Sequence, residues 1–202
     1  ASVPTSASDT DPRSGAPTRM ELPASSNRTG ILGKAGFLAM NAHSRETSPT
    51  LRGKYIRERF LCESIGAPPP NVVPVLAEPD PNAPTMRDRL KAHAKDVVCN
   101  ACHSQMDPLG LALEHFDAMG RYRTDDHGHA LDTSGDLDGQ KFDGLIALSA
   151  LLRDDPRSAD CIARQVYRYA TAHVESDAEA SQIEGLVAGQ LALALILLIG
   201  CG

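Results

Sequence analysis

The chain has no tryptophan, and aromatic residues make up only 4% of its 202 positions. Its core must therefore be aliphatic, or share flat apolar surface with a group that is not an amino acid. Positive charge is also scarce. The balance of 20 Lys+Arg against 26 Asp+Glu leaves a formal charge of −6. That excludes nucleic acid as the expected partner and suits a basic protein partner instead. No apolar run reaches the roughly 20 residues of an ordinary membrane span. The longest, Leu186 to Ile199, is broken only by Gln190. It reads as a buried terminal helix, with possible membrane association as the alternative. No signal peptide is visible in the opening segment, Ala1 to Ala16, which is rich in Ser, Thr, Pro and Asp and reads as irregular. With 42% apolar residues, the length suits one domain or two small ones.

Against this plain background stands one dense motif, Cys99-Asn100-Ala101-Cys102-His103. At the Cys and His frequencies of this chain, C-x-x-C-H arises by chance in about 0.4% of sequences this long, treating positions as independent. The run prescribes covalent attachment of one c-type haem. Cys99 and Cys102 would form thioethers with the porphyrin edge, and His103 would ligate the iron as proximal ligand. A zinc site needs about four ligands, usually from paired clusters, and there is no second C-x-x-C. A thioredoxin-like pair needs a strand-to-helix setting that the flanks do not offer. A disulfide between the two would close a strained small ring. Haem c is attached outside the cytoplasm, so an export signal is expected upstream or already removed.

Ser48-Pro49 opens a helix that carries Leu51, Tyr55, Ile56 and Phe60 on one stripe and ends near Cys62. A proline-rich strap over 66–84 follows, with Pro68-Pro69-Pro70, Pro74, Pro79, Pro81 and Pro84. It excludes regular helix and inner strand, and reads as extended chain lying across a surface. Thr85, with Asp88 three residues on, starts a helix that ends before Cys99. Asp107-Pro108 reads as the start of a short helix through Leu113 and Phe116, stopped by Gly120. Arg121–Thr124 and His129–Asp132 read as a small hairpin around Asp126-His127-Gly128. Leu145–Leu152 and Ala159–His173 read as helices. The expected fold is mainly α: a c-type cytochrome-like helical domain with a small β-hairpin and the strap. The expected organisation is a polar irregular segment over 1–28, a haem-binding region over 29–125, and a hairpin and helical region with the apolar tail over 126–202.

Several segments are distinctive together. They are Thr47-Ser48-Pro49-Thr50-Leu51-Arg52-Gly53-Lys54, Pro68-Pro69-Pro70-Asn71-Val72, and Cys99–His103 followed by Met106-Asp107-Pro108-Leu109-Gly110-Leu111-Ala112-Leu113-Glu114 and Phe116-Asp117. Gly120-Arg121-Tyr122-Arg123, Asp132-Thr133-Ser134-Gly135 and Cys161-Ile162-Ala163-Arg164 continue the series. From about Met20 to His173 the chain resembles the C-terminal half of planctomycete-type cytochrome c domain proteins, large bacterial exported proteins with several domains of unknown function. The large helical N-terminal region of that family has no counterpart here, so the resemblance implies a C-terminal fragment or a short relative. It also implies haem, an extracytoplasmic location and a Cys62–Cys161 disulfide. Cys201 is then the odd cysteine.

The sixth iron position is open on sequence grounds. Met106 sits one helical turn beyond His103, on the same side, and reads as core packing. His93 precedes Cys99 by a connection that spans about 15 Å, enough to pass around a haem edge, and the family tends to carry a His there. His43 and Met119 are alternative distal candidates, as is a water-bound site. Arg121, Tyr122 and Arg123 are candidates for the haem propionates, with a solvated hairpin as the plain alternative. The run Asp132, Ser134, Asp136, Asp138 alternates oxygen ligands as calcium loops do, but Leu145 stands where the closing Glu belongs. The expected function is one-electron transfer outside the cytoplasm by a monohaem cytochrome or cytochrome subunit, with a redox protein or a larger complex as partner. A peroxidase- or oxidase-type haem enzyme with an open sixth position, and a structural subunit of a membrane-associated complex, are the alternatives.

Overall fold

The computed structural model describes residues 23–68, 76 and 81–187. The expectations for residues 1–22, for most of the strap, for the tail beyond 187 and for Cys201 lie outside the described residues.

Seven α-helices and two antiparallel hairpins make up the described chain. The mainly α reading with a small β component stands. Helix α1 (Ala35–Met40) buries Phe37 and Leu38. Helix α2 (Pro49–Phe60) starts as its sequence dictates: Ser48 Oγ accepts from the Leu51 N–H, and Pro49 occupies the first turn, where no N–H is missed. Helix α3 (Met86–His93) begins with a reciprocal capping box, the Asp88 N–H donating to Thr85 Oγ1 and the Thr85 N–H to Asp88.

Helix α4 (Val97–Leu111) carries the C-x-x-C-H run. Asp96 caps it, accepting from the Val98 and Cys99 N–H groups, so the motif occupies the first two turns. The helix then runs on through Pro108. The expected helix start at Asp107-Pro108 is therefore corrected. Proline inside a helix forfeits a hydrogen bond and disfavours helical backbone at the residue before it. Here Asp107 is held in the helix by two side-chain hydrogen bonds, to His103 and from Thr50, and Leu109 is fully buried just beyond. Past Leu111 the backbone tightens into turns, with Leu113 N–H donating to Gly110 O and Phe116 N–H to Leu113 O.

Helices α2 and α4 cross at unusually close range, and two glycines allow it. A Cβ on Gly53 would lie 1.8 Å from the Met106 carbonyl oxygen, and one on Gly110 would lie 1.8 Å from that of Pro49. Each helix thus puts a glycine under the other's backbone. This crossing brings the start of α2 beside the C-terminal part of α4, around Asp107 and Gly110.

Strands β1 (Asp125–Asp126) and β2 (His129–Ala130) form the first hairpin. Its loop residues, His127 and Gly128, both have positive φ, as a type I′ turn requires. The hairpin is shorter than expected. Arg121–Thr124 instead folds back on the preceding turn through a Phe116–Tyr122 bridge and an Arg123 N–H to His115 O bond. Strands β3 (Ser134–Leu137) and β4 (Gln140–Asp143) form a second hairpin around Asp138-Gly139, also with both φ positive. Sequence reading missed it, although Asp-Gly between short strands is a strong hairpin signal. Helices α5 (Gly144–Asp154), α6 (Pro156–Thr171) and α7 (Asp177–Leu186) complete the order.

One hydrophobic core, aliphatic residues around the chain's four phenylalanines, joins these parts. Leu38, Ile56, Leu109, Phe116, Leu137 and Leu148 belong to a single buried cluster drawn from both sides of residue 125. Cys62, after α2, is bonded to Cys161 of α6 with Cα atoms 5.3 Å apart. The bridge closes a 99-residue separation around the motif helix. In the chain-entropy view a loop of that size contributes about 4–5 kcal/mol.

Candidate functional site

A cleft of about 510 Å³ opens between the chain entering α2, the strap, α3 and the first half of α4. That volume falls in the ordinary range for small-molecule and cofactor sites. Its walls are largely apolar: Leu51, Ile65, Leu76, Met86, Leu90 and Met106. The described part of the strap supplies one of these walls through Ile65, Gly66, Pro68 and Leu76. Cys99, Cys102, His103 and His93 all face the same space.

The spacing of the motif explains this convergence. On a helix, residues three and four apart share a face, so Cys99, Cys102, His103 and Met106 line one side of α4. Cys99 and Cys102 are half-buried free thiols. The His103 ring donates or accepts at Nδ1 with Asp107 Oδ2, 2.9 Å away. With the proton on Nδ1, the pair leaves Nε2 as a lone-pair donor toward the cleft. Among the described residues no hydrogen bond to Nε2 is formed. The hydrogen bond to Asp107 raises the His103 pKa above its ordinary value, against the opposing effect of burial. Asp107 Oδ1 in turn accepts from Thr50 Oγ1 at 2.8 Å. Thr50 stands in the first turn of α2, and the glycine-mediated helix crossing brings it within reach.

His93 ends α3 and meets His103 edge to face, ring centroids 4.9 Å apart. His43 also lines the cleft but is exposed. Met119 lies elsewhere, 69% exposed in the turn before Gly120. The arginine–tyrosine trio is likewise absent from the cleft lining. Arg121 pairs with Asp117 at the surface, 2.8 Å, and Tyr122 stacks on His115. Arg123 is drawn inward to Glu114 and Asp126. The cleft's own cation is Lys54, which also pairs with Glu58. Asp132 hydrogen-bonds Ser134 and pairs with Arg87, and Asp138 pairs with Arg57 and Arg157. Among the described residues no group of three or more His, Cys, Asp or Glu side chains is arranged to hold a metal ion.

The donor set fits a covalently attached haem. Two free thiols at the required spacing, two imidazoles and an apolar enclosure occupy one cleft, and the residue types match what the chemistry needs. Thr50 and Asp107 are the partners of the cleft histidine that sequence reading missed. The spacing of four from His103 to Asp107 was the available signal; Thr50 lay too far along the chain to be read.

A disulfide suits an oxidising compartment, and no helix of the described residues is long and apolar enough to cross a membrane. Comparison with known proteins gives one match. Residues 28–126 fit the family model PSCyt3, described as a protein of unknown function (DUF1588). No curated protein matches the chain, and no solved structure does. The matched segment runs from before α1 to the end of β1 and contains every residue that lines the cleft. Residues 28–126 thus match the PSCyt3 family, the planctomycete cytochrome c-type domain.

Proposed function

We propose that this protein is a monohaem c-type cytochrome, or a cytochrome subunit, that carries single electrons outside the cytoplasm. The observation that carries the reading is the convergence of Cys99, Cys102, His103 and His93 on one apolar cleft. Cys99 and Cys102 would form the thioethers to haem c, and His103 and His93 would supply its iron ligands. His43, exposed at the cleft mouth, is the weaker distal candidate. When bound, haem c supplies a one-electron iron couple. The chain's part would be to supply both iron ligands from His103 and His93 and to exclude water with Leu51, Ile65, Leu90 and Met106. Val97 and Val98 are exposed beside Cys99 and give a redox partner an apolar contact. The net charge of −6 suits a basic partner or a larger assembly. A periplasmic or other extracytoplasmic location follows from the attachment chemistry and accords with the disulfide.

The test is a visible spectrum of the haem-loaded full chain, oxidised and reduced, with and without carbon monoxide, for wild type and His93→Ala. Wild type should be low-spin and indifferent to carbon monoxide, and His93→Ala should bind it. Ready binding by wild type would contradict a filled sixth position and favour the haem-enzyme reading.

A further inference from the structure

We propose that Asp107, anchored by Thr50, is a positioning residue for the proximal imidazole: it fixes the orientation of His103 and lends it negative charge, holding the reduction potential of the bound group low. This rests on the haem reading above. Asp107 is 7% exposed, yet its carboxylate forms no ion pair with Lys or Arg among the described residues. Its two oxygens are divided between a neutral hydroxyl, Thr50 Oγ1 at 2.8 Å, and the His103 Nδ1 at 2.9 Å. A buried carboxylate is costly unless its charge is compensated. The imidazole is the group available to compensate it.

Three consequences follow from this arrangement. The carboxylate stabilises the tautomer with the proton on Nδ1, which aims the Nε2 lone pair into the cleft. It locks the ring about its Cβ–Cγ bond, because Thr50 holds the second oxygen from a different helix. It makes Nε2 a stronger donor, since partial negative charge is shared across the Nδ1–H···O bond. A stronger donor favours the more positive, oxidised state of a metal it ligates, which lowers the potential. The glycines at the α2–α4 crossing acquire a role in this account. Without the close approach that Gly53 and Gly110 permit, Thr50 could not reach Asp107.

The experiment uses the full chain with haem attached and compares wild type, Asp107→Asn and Asp107→Glu. Two quantities are read: the midpoint potential by spectroelectrochemistry, and the His103 Nδ1 proton of the reduced wild type by nuclear magnetic resonance. Asp107→Asn preserves shape and removes the charge. It should raise the potential by about a tenfold change in the oxidised-to-reduced ratio, or ~59 mV for one electron. Asp107→Glu restores a carboxylate and should recover at least half of that shift. In wild type the Nδ1 proton should be shifted downfield and slow to exchange with solvent. If the Asn variant does not accumulate, that proton alone decides. A haem-loaded wild type with a rapidly exchanging Nδ1 proton, or an Asp107→Asn potential equal to wild type, would overturn this proposal and leave the haem reading intact. A chain that takes up no haem overturns both.

Discussion

Two buried carboxylates on the same stretch of chain have opposite surroundings. Glu114, 1% exposed, is gripped by Arg52 and Arg123 and accepts from the Thr47 hydroxyl. Among the described residues Asp107 meets only a hydroxyl and an imidazole through its carboxylate. Burial pushes the Glu114 carboxyl upward in pKa, and the two guanidiniums oppose that effect. Arg52, fully buried, also donates to the carbonyl oxygens of Leu113, Phe116 and Asp117, so it ties the turn after α4 to α2. The Glu114 knot engages both terminal nitrogens of Arg52 and both oxygens of Glu114, leaving only Arg52 Nε unpartnered among the described residues, and serves the fold. The Asp107 chain ends on a ring whose other nitrogen is unpartnered and faces a cleft. Polar groups satisfied by one another read as structure, and polar groups aimed at a cavity read as chemistry.

The largest effect should come from breaking the knot. Arg52→Met fills similar volume but leaves Glu114 with one guanidinium and withdraws the Arg52 hydrogen bonds from the carbonyls of Leu38, Leu113, Phe116 and Asp117. It should cost about 3–5 kcal/mol, measured by urea unfolding of the full chain. A loss below about 1 kcal/mol would mean that the two carboxylates do not differ as described.

A smaller effect belongs to the exposed ion cluster beside the disulfide. There Arg157 pairs with Glu63, Asp138 and Asp155. Its hydrogen bond lowers the Asp155 pKa below the ordinary 3.8, against burial. The resulting stability is therefore present above about pH 4 and lost as the pH falls through the lowered folded-state value. Arg157→Ala should remove this acid-sensitive part, so the two proteins converge in stability as the pH falls below that lowered value. Because Arg157 is 40% exposed, the difference at neutral pH should stay within about 1 kcal/mol. The comparison of stability–pH curves sharpens the contrast between a buried knot and a surface one.

The smallest stability effect should follow from the cleft itself. His93→Ala should change the unfolding free energy of the haem-free chain by no more than about 0.5 kcal/mol, while changing the spectrum of the loaded one. If it destabilised the chain as strongly as Arg52→Met, the cleft would be a structural element rather than a site.

Much of this was legible in the sequence because it is local. The Ser48-Pro49 start, the Thr85–Asp88 capping box and the C-x-x-C-H face each depend on residues a turn or less apart. The Asp107-Pro108 reading failed because proline's local preference was overridden by partners on another helix. Arg123, a candidate for haem propionates, pairs with Glu114 and Asp126, acids whose proximity depends on how the turn after α4 folds. The oxygen-rich run from Asp132 to Asp138 was weighed as a cation loop, whereas Asp138-Gly139 is a tight hairpin turn and Asp138 serves two arginines. In each case the side-chain chemistry was visible and its partner was not.

The central claim is that the Cys99–His103 cleft holds covalent haem. The direct measurement is the mass of the full chain under denaturing conditions, after expression with a c-type haem attachment system. Wild type should carry the added mass of one haem, and the Cys99→Ser/Cys102→Ser variant should carry none. An unmodified wild-type mass, from a chain that folds and retains its Cys62–Cys161 bridge, would contradict the account.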